Sequence, residues 1–266
     1  MITPIPKRIL YRPGSCEWPD GAGFSMDAPL AGAADGIRSL LPMLEPREGA
    51  AEVAFRYDAA LPREAYRLVS GEAGVCVYAS AQNGALYSAA TLRQLLSNAG
   101  SIPHIEVEDE PRFAWRGISM DVCRHFFSVS TLEKLIDALA LYKYNTLHLH
   151  LSDDQGFRVE SEQFPLLNRI GSWRTSSAVK RGRGEQQDGK PHGGFYNKAQ
   201  IRGLVAYAAA RGIDIVPEID LPGHTTAIIA AYPELACDAR PTKVATCYGM
   251  KDFSAHILCA GEEMVY

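Results

Sequence analysis

The sequence predicts an α/β protein in which a small accessory α/β domain precedes the first part of a (β/α)8 TIM barrel, incomplete in this chain. Three observations lead to this prediction. Strand and helix patterns alternate downstream of residue 111. Most of the connections between them are short, which favours a parallel sheet. Charged or imidazole side chains follow each strand, as they do at the mouth of a barrel.

The composition is typical of a globular protein. Of the 266 residues, 47% are apolar and 22% are charged, and the net charge of -4 comes from interspersed residues of both signs. We therefore expect a neutral or weakly charged small ligand and no nucleic acid partner. No apolar run approaches the ~20 residues that span a bilayer, so we expect no membrane partner. Pro4 and Pro6 interrupt any export signal, which makes a cytoplasmic location the default expectation.

We expect the accessory domain to comprise residues 1–108 and the partial barrel to comprise residues 109–266. Val53–Tyr57 is a short strand candidate. Residues 66–69 and 75–78 flank a turn-rich segment and predict a hairpin. Leucines and alanines at helical spacing predict a helix over residues 85–97. The acidic segment 106–111 ends in a proline and is interpreted as the junction between the two domains.

The second region begins with a strand over residues 117–122. Ser130 and Glu133 have the spacing of a capping box, so we expect a helix to begin there and to end near Lys143. A strand follows over residues 146–151, and then a long polar loop over residues 171–194. Asn197 is the predicted cap of a second helix, whose inward positions are predicted to be Ile201, Leu204, Val205 and Ala208. A third strand covers residues 213–219.

Either a barrel or a doubly wound sheet accommodates strands in this order. The barrel is favoured because polar residues follow all three strands, and in a barrel they meet at one mouth. Only three of eight strands are visible, so we expect this chain to be a truncated product or a partial sequence that aggregates or remains partly unfolded in isolation. A shorter fold that is not a barrel is the alternative.

Four stretches carry a family resemblance: residues 116–127 (RGISMDVCRHFF), 148–158 (HLHLSDDQGFR), 193–196 (GGFY) and 216–224 (VPEIDLPGH). In this order and spacing they resemble the β-N-acetylhexosaminidases of glycoside hydrolase family 20. Residues 83–87 and 91–96 resemble the accessory domain of that family. The resemblance implies a hydrolase that removes terminal non-reducing N-acetylhexosamine residues from an oligosaccharide or glycoconjugate, without a cofactor.

The resemblance also implies a substrate-assisted retaining mechanism. The acetamido carbonyl of the sugar attacks the anomeric carbon, while a glutamic acid protonates the leaving oxygen and the preceding aspartate orients the acetamido group. The family places this pair in a His-x-Gly-Gly-Asp-Glu motif, which is not found in these residues, and Glu262-Glu263 matches a loop position. We therefore expect no turnover by this chain alone. The alternatives are a non-catalytic carbohydrate-binding relative and, less favoured, a lacto-N-biosidase-like hydrolase.

Roles for individual residues follow from the same resemblance. Arg124 matches the arginine that binds the 3- and 4-hydroxyls of the terminal sugar, although a strand-end arginine paired with an aspartate has the same pattern. Asp153 and His224 match a supporting catalytic dyad. Glu218 and Asp220 are expected to support substrate binding or, nearly as well, to form a buried structural network.

Histidines and cysteines are the candidate metal ligands and disulfide partners of this sequence. His148 and His150 share one strand face near Asp153 and could imitate metal ligands, but the family uses no metal, so none is expected. The six cysteines lack CxxC spacing, which argues against a structural zinc site. Cys237 and Cys259 match positions that are bridged in some relatives.

Overall fold

The computed structural model describes residues 2–18, 21–96, 100–180, 186–239, 242–247 and 256–263. The chain divides into two compact units. The first unit comprises Met1–Gly117, Glu133–Thr146 and Val205–Asp214. The second unit comprises Ile118–Leu132, Leu147–Leu204 and Ile215–Tyr266. Among the described residues, no helix has both the length and the apolar character needed to cross a bilayer.

A seven-stranded mixed sheet forms the first unit. Its strands are β1 (Arg8–Glu17), β2 (Gly23–Met26), β3 (Glu45–Pro46), β4 (Val53–Tyr57), β5 (Tyr66–Gly71), β6 (Gly74–Ala79) and β7 (Ser101–Asp109). Their order across the sheet is β1-β7-β5-β6-β4-β2-β3. The helices of this part of the chain are a 3-10 helix (Ala28–Ala33), α1 (Ala34–Leu40) and α2 (Gln82–Leu95).

The predicted hairpin is confirmed as β5 and β6. Register runs from Tyr66 opposite Ala79 to Gly71 opposite Gly74, and Gly74 has a φ of 102°, which glycine adopts without strain. Buried and more exposed residues alternate along both strands, as expected when one face of a sheet is covered. Helix α2 contacts β5 and β6, begins three residues earlier than predicted and is buried from Gly84 to Leu92.

The predicted junction at residues 106–111 overlaps β7, which continues to Asp109. Its acidic residues belong to the sheet because arginines on neighbouring strands pair with them. Glu106 lies 3.2 Å from Arg12 on β1 and 3.2 Å from Arg67 on β5. Strand β1 was not predicted. Its register shifts between Tyr11 and Ser15, and this bulge breaks the alternation that identifies a strand.

The strands after β7 are β8 (Gly117–Asp121), β9 (Thr146–His150), β10 (Ser152–Asp153), β11 (Gly156–Phe157), β12 (Trp173–Arg174), β13 (Ala178–Lys180), β14 (Gln186–Gln187), β15 (His192–Gly193) and β16 (Asp214–Glu218). The helices are α3 (Val129–Leu141), a π-helical turn (Leu167–Gly171), α4 (Lys198–Ala209), α5 (Thr226–Ala231) and a 3-10 turn (Pro233–Leu235). The three predicted strands are confirmed to within one residue at each end, and β9 lies between β8 and β16 in one sheet.

Backbone hydrogen bonds show that these three strands are parallel. The N–H of Asn145 donates to the carbonyl of Arg116 where β8 and β9 begin, and the N–H of Val122 donates to the carbonyl of His150 where both strands end. The two strands therefore run in the same direction. Leu151 likewise donates to Glu218 at the end of β16. The carboxyl ends of the strands therefore meet at one edge, which is the arrangement that the strand-end polar residues predicted.

The predicted capping box at Ser130 and Glu133 is wrong. Helix α3 begins at Val129, because Ser128 Oγ accepts the N–H of Thr131 at 3.3 Å and the Ser130 hydroxyl instead bonds that of Ser128. In α4 the predicted cap is confirmed: Asn197 Oδ1 accepts from the N–H of Gln200, and Gln200 Oε1 accepts from that of Asn197.

One predicted core position of α4 is also wrong. Val205 is 45% exposed, whereas Leu204 and Ala208 are buried one turn apart. These two residues define the inward line of the helix, and Val205 falls beside it.

Helix α5 forms the centre of an apolar cluster in the second unit. The helix is buried along its whole length and packs with Phe157, Leu167 and Leu258. Cys237 and Cys259 form a disulfide, as the family resemblance implied, and close a segment with a sequence separation of 22 residues.

Candidate active site

The carboxyl end of β8 forms a turn that presents Arg124. Asp121 ends the strand, because its Oδ1 accepts the backbone N–H of Cys123 at 2.9 Å and of Arg124 at 3.0 Å. Aspartates form such turns by bonding backbone groups two or three residues ahead. Oδ2 of Asp121 accepts a third hydrogen bond, from Nη1 of Arg124 at 2.9 Å. One carboxylate therefore orients both the backbone and the side chain of Arg124.

Asp153 connects the ends of the three strands. Its side chain is fully buried, and its Oδ2 contacts Nη2 of Arg124 and accepts from Nε2 of His150 at 2.8 Å. Oδ1 accepts from Nδ1 of His224 at 3.1 Å and from the N–H of Asp154 at 2.5 Å. A single carboxylate therefore joins residues that follow β8, β9 and β16.

These contacts keep Asp153 ionised. Burial alone raises the pKa of Asp153, but hydrogen bonds from His150 and Asp154 and the charge of Arg124 outweigh burial and lower it. The hydrogen bond to Asp153 raises the pKa of His150, against the opposing effect of burial and with further help from Glu218. The imidazole of His150 therefore holds its proton to a higher pH than an ordinary histidine.

A second polar group surrounds Glu218 at the end of β16. Its Oε2 lies 2.5 Å from Nε2 of His148, and its Oε1 lies 3.0 Å from Nδ1 of His150. Burial and the neighbouring Glu218 raise the pKa of Asp220. Burial alone raises the pKa of Glu218, but hydrogen bonds from Asp220 and His150 outweigh burial and lower it. Asp220 is therefore the first of these two carboxylates to take a proton as the pH falls.

Asp154 links the site to the start of α5. Its Oδ1 accepts from the N–H of Thr226 at 3.1 Å and from the hydroxyl of Thr226 at 2.6 Å. Its Oδ2 lies 3.4 Å from Nδ1 of His224. His224 has a φ of 55°, in the left-handed region that residues other than glycine rarely adopt. The turn before α5 thus holds an unusual backbone conformation at a residue whose side chain is 50% exposed.

Gln155 is a third contact of the Arg124 side chain. Its Oε1 accepts from Nε of Arg124 at 3.0 Å, and its Nε2 donates to the carbonyl of Cys247 at 2.9 Å. A pocket of about 270 Å³ opens here. It is lined by Arg124, His125, Gln155, Arg174, Ser177, Ala178, Asp188, His192, Thr246 and Cys247.

Three sets of described side chains could supply ligands to a metal ion: Asp121, Cys123 and His150; His150, Glu218 and Asp220; and Asp153, Asp154 and His224. Within each set, one ligand atom from every residue lies within 4.8 Å of the others. Most of these atoms already hydrogen-bond one another or Arg124, so a cation would have to displace those bonds. That the protein uses no metal stays a prediction.

The sequence matches known protein families over nearly its whole length. The profile of glycosyl hydrolase family 20, domain 2, matches residues 1–110, and that of the glycosyl hydrolase family 20 catalytic domain matches residues 113–266. The chain belongs to glycosyl hydrolase family 20. The predicted family is therefore confirmed.

Curated relatives in family 20 are considerably longer than this chain. A β-hexosaminidase of Porphyromonas gingivalis is 40% identical over 79% of this chain and 27% of its own length. A β-N-acetylhexosaminidase of Cellulomonas fimi is 46% identical over 69% of this chain and 35% of its own length. The chain therefore spans about a third of the length of these relatives.

Solved family 20 structures confirm the predicted fold class. The N-acetyl-β-hexosaminidase of Streptomyces plicatus, in complex with Thio-NAglucal, aligns with a TM-score of 0.85 and 33% identity. The alignment covers 99% of this chain and 54% of the Streptomyces plicatus protein. An exo-β-N-acetylglucosaminidase of Vibrio harveyi in complex with N-acetylglucosamine aligns with a TM-score of 0.83 and 30% identity, over 97% of this chain and 42% of its own.

The structure brings together the residues that the family resemblance singled out. Arg124 and His224 both contact Asp153, whereas Glu218 reaches it only through His150 and Asp220 lies beside Glu218. Their functional roles stay predictions. Sequence reasoning did not identify the contact of Gln155 with Arg124, because a single amide in a loop has no periodic pattern. The division into residues 1–108 and 109–266 also stays a prediction.

Proposed function

We propose that the protein is a β-N-acetylhexosaminidase, which hydrolyses terminal non-reducing N-acetylhexosamine residues of oligosaccharides or glycoconjugates. One observation carries the proposal: the buried carboxylate of Asp153 contacts the guanidinium of Arg124 on one oxygen and the imidazole of His224 on the other. This arrangement offers a sugar a fixed guanidinium and an oriented imidazole side by side. Family 20 relatives named β-hexosaminidases support the same activity.

Arg124 binds the 3- and 4-hydroxyls of the terminal sugar. A guanidinium presents planar, fixed donors, which suit two neighbouring hydroxyl oxygens better than an ammonium does. Its position is set before substrate arrives, because Asp121, Asp153 and Gln155 accept from Nη1, Nη2 and Nε respectively. A preorganised donor loses less conformational entropy when substrate binds.

Asp153 and His224 act together as a supporting dyad. A carboxylate can only accept, so Nδ1 of His224 carries the proton that lies between them. The tautomer of the neutral imidazole is thereby set, which leaves Nε2 as an acceptor. Because the His224 side chain is half-exposed, that nitrogen can meet a protonated carboxylic acid that acts on the leaving-group oxygen.

The reaction proceeds by substrate assistance with retention of configuration. The acetamido carbonyl oxygen attacks the anomeric carbon and the glycosidic bond breaks, while a glutamic acid transfers its proton to the leaving oxygen. Water then attacks the anomeric carbon of the oxazolinium intermediate, the bond from that carbon to the acetamido oxygen breaks, and the glutamate carboxylate takes the proton of the water and becomes the acid again. Glu218 and Asp220 support the site by holding His150 against Asp153. The His-x-Gly-Gly-Asp-Glu motif of the family is not found in residues 1–266, so we propose that this chain alone does not turn the sugar over.

A chromogenic assay tests the proposal. The complete protein and the 266-residue chain are each incubated with the p-nitrophenyl β-glycosides of N-acetylglucosamine, of glucose and of the disaccharide lacto-N-biose. We expect the complete protein to release nitrophenol only from the N-acetylated substrate, and the chain alone to release none. Binding of N-acetylglucosamine without turnover by the complete protein would instead identify a non-catalytic carbohydrate-binding protein. Cleavage of a disaccharide glycoside alone would indicate a lacto-N-biosidase.

A further inference from the structure

Arg158 is a fully buried arginine whose donors are all used by backbone carbonyls. A guanidinium has five N–H groups. Nε, Nη1 and Nη2 of Arg158 donate to the carbonyl oxygens of Val122, Cys123, Gln155, Ser172 and Gly194, at 2.6 to 3.3 Å. This one side chain therefore joins the segment before Arg124, the segment after β10 and both ends of the loop from β12 to β15.

The chain leaves room for this guanidinium at Gly156. A Cβ atom at that position would overlap Cζ and Nη2 of Arg158. Phe126 covers the group from another side, with its ring centroid 5.7 Å from Cζ. Burial lowers the pKa of Arg158 to about 10, yet the group stays charged at neutral pH, so a full charge is solvated here by peptide dipoles.

Arg174 bonds the next backbone carbonyl along the chain, that of Arg124, after the two that Arg158 bonds at Val122 and Cys123. Its Nη2 donates to the carbonyl of Arg124 at 2.8 Å, and its Nη1 donates to that of Gln155 at 3.3 Å. The three consecutive carbonyls of residues 122–124 thus all accept from a guanidinium. The N–H groups of residues 123 and 124 go to Asp121. Every one of these backbone groups is therefore held by a charged side chain.

We infer that Arg158 and Arg174 are positioning residues that set the sugar-binding geometry of Arg124 through its backbone. The role rests on the proposed function, since it is the binding of sugar hydroxyls by Arg124 that depends on this backbone. Displacing a binding group by about 1 Å can reduce a rate by up to 100-fold. Loss of either guanidinium should accordingly weaken recognition of the sugar hydroxyls as well as the fold.

Arg174→Lys in the complete protein tests the inference, because lysine keeps the charge but cannot bond two carbonyls in a fork. Arg174 ends the short strand β12 and donates to two backbone carbonyls, whereas Arg158 donates to five, so we expect the fold to tolerate this change better than Arg158→Lys, which is made in parallel. We expect kcat/KM for the N-acetylglucosaminide to fall about tenfold, mainly through KM. In an Arg124→Ala background the same substitution should change kcat/KM less than about twofold, since both act on one contact.

A second readout separates positioning from general destabilisation. N-Acetylgalactosaminides differ from N-acetylglucosaminides at the 4-hydroxyl, so displacement of Arg124 should change the ratio of the two kcat/KM values. Arg116→Lys is the matched control, because Arg116 also donates to backbone carbonyls, those of Phe113 and Lys143, in the first unit. We expect it to lower the melting temperature and leave the ratio unchanged.

The outcomes distinguish the two hypotheses. An active wild type in which Arg174→Lys and Arg124→Ala reduce kcat/KM independently, with an unchanged substrate ratio, overturns the positioning role and leaves the proposed function intact. A wild type that hydrolyses neither glycoside overturns the proposed function and the positioning role together. Coupled losses with an altered ratio support both.

Discussion

Nδ1 of His224 lies 3.1 Å from Oδ1 of Asp153, although 71 residues separate the two in sequence. The contact joins the segment after β9 to the turn after β16, and the second oxygen of the same carboxylate contacts Arg124 and His150. Such a buried carboxylate needs all of its partners, because each one offsets part of the cost of burying a charge. Replacing Asp153 therefore affects several interactions at once.

In the complete protein, Asp153→Asn should reduce kcat/KM for an N-acetylglucosaminide by about 100-fold or more. The amide presents one N–H2 group to partners that are all donors, so either His224 or Arg124 loses its acceptor. We also expect a loss of about 3–5 kcal/mol in the free energy of unfolding, measured with urea. Asp214→Asn, at the exposed start of β16, is the control and should change neither quantity. Near-normal kinetics in Asp153→Asn would exclude the dyad.

In the complete protein, Arg124→Ala should raise KM severely, and Arg124→Lys should raise it by roughly 10- to 100-fold, because a charge-assisted hydrogen bond contributes about 1.5–3 kcal/mol. Lysine keeps the charge beside Asp153 but loses the bond from Nε to Gln155. Steady-state kinetics on the chromogenic glycoside measure the effect. Arg169→Lys, on the surface of the same unit, is the control. If KM is unchanged in Arg124→Ala, Arg124 does not belong to the binding site.

The three parallel strands and their polar ends could be predicted from the sequence, because short apolar runs alternate with helix patterns and polar residues follow each run. The meeting of Arg124, Asp153 and His224 followed from this logic and from the family motifs. No such logic applies to Arg158 and Arg174. Apart from Ser177 Oγ, which accepts from Nε of Arg174, their acceptors are backbone carbonyls, which every residue has, so no spacing in the sequence identifies these contacts.

Local ambiguity explains the errors at element ends. Ser128 and Ser130 can both cap a helix, and the capping-box spacing to Glu133 favoured the wrong serine. Only the hydrogen bond from the N–H of Thr131 to Ser128 decides between them. In β1, a bulge between Tyr11 and Ser15 conceals the strand period. Both cases depend on backbone geometry that a residue pattern does not encode.

His192 should make the protein less stable in acid. Its Nε2 accepts from the N–H of Phe126 at 2.9 Å, which requires an unprotonated nitrogen. Burial first, and then the charges of Arg174, His125 and Arg158, lower the pKa of His192 to about 4. The folded pKa is lower than the unfolded value of about 6.5. This contribution to stability is therefore complete above pH 6.5 and is lost as the pH falls toward 4.

His192→Gln should reduce that pH dependence, because the amide oxygen can still accept from Phe126 but does not titrate. Urea unfolding at several pH values between 4 and 7 measures the change. We expect the free energy of unfolding to fall less steeply below pH 6.5 in the variant than in the wild type. His192→Ala, which removes the acceptor, should be less stable over the whole range. Identical slopes in all three proteins would contradict the assignment.

In the first unit, Lys143 is a buried lysine that depends on Asp109. Only 4% of the residue is exposed, and Nζ donates to Oδ2 of Asp109 at 2.8 Å and to the hydroxyl of Tyr66 at 3.0 Å. Burial lowers the pKa of Lys143, and the charge of Asp109 opposes that effect. Breaking a buried pair on one side leaves the other charge uncompensated. Lys143→Met preserves most of the apolar stem, so its effect reports mainly on this charge.

We expect Lys143→Met to lower the free energy of unfolding by about 3–5 kcal/mol. Adding Asp109→Asn should restore part of that loss, because the neutral amide no longer needs a cation and can still bond Tyr66. Urea titrations of the wild type, both single variants and the double variant complete the cycle. Losses that simply add would show that the two residues do not stabilise each other. A double variant more stable than Lys143→Met establishes that the unpaired carboxylate, rather than lost packing, causes the destabilisation.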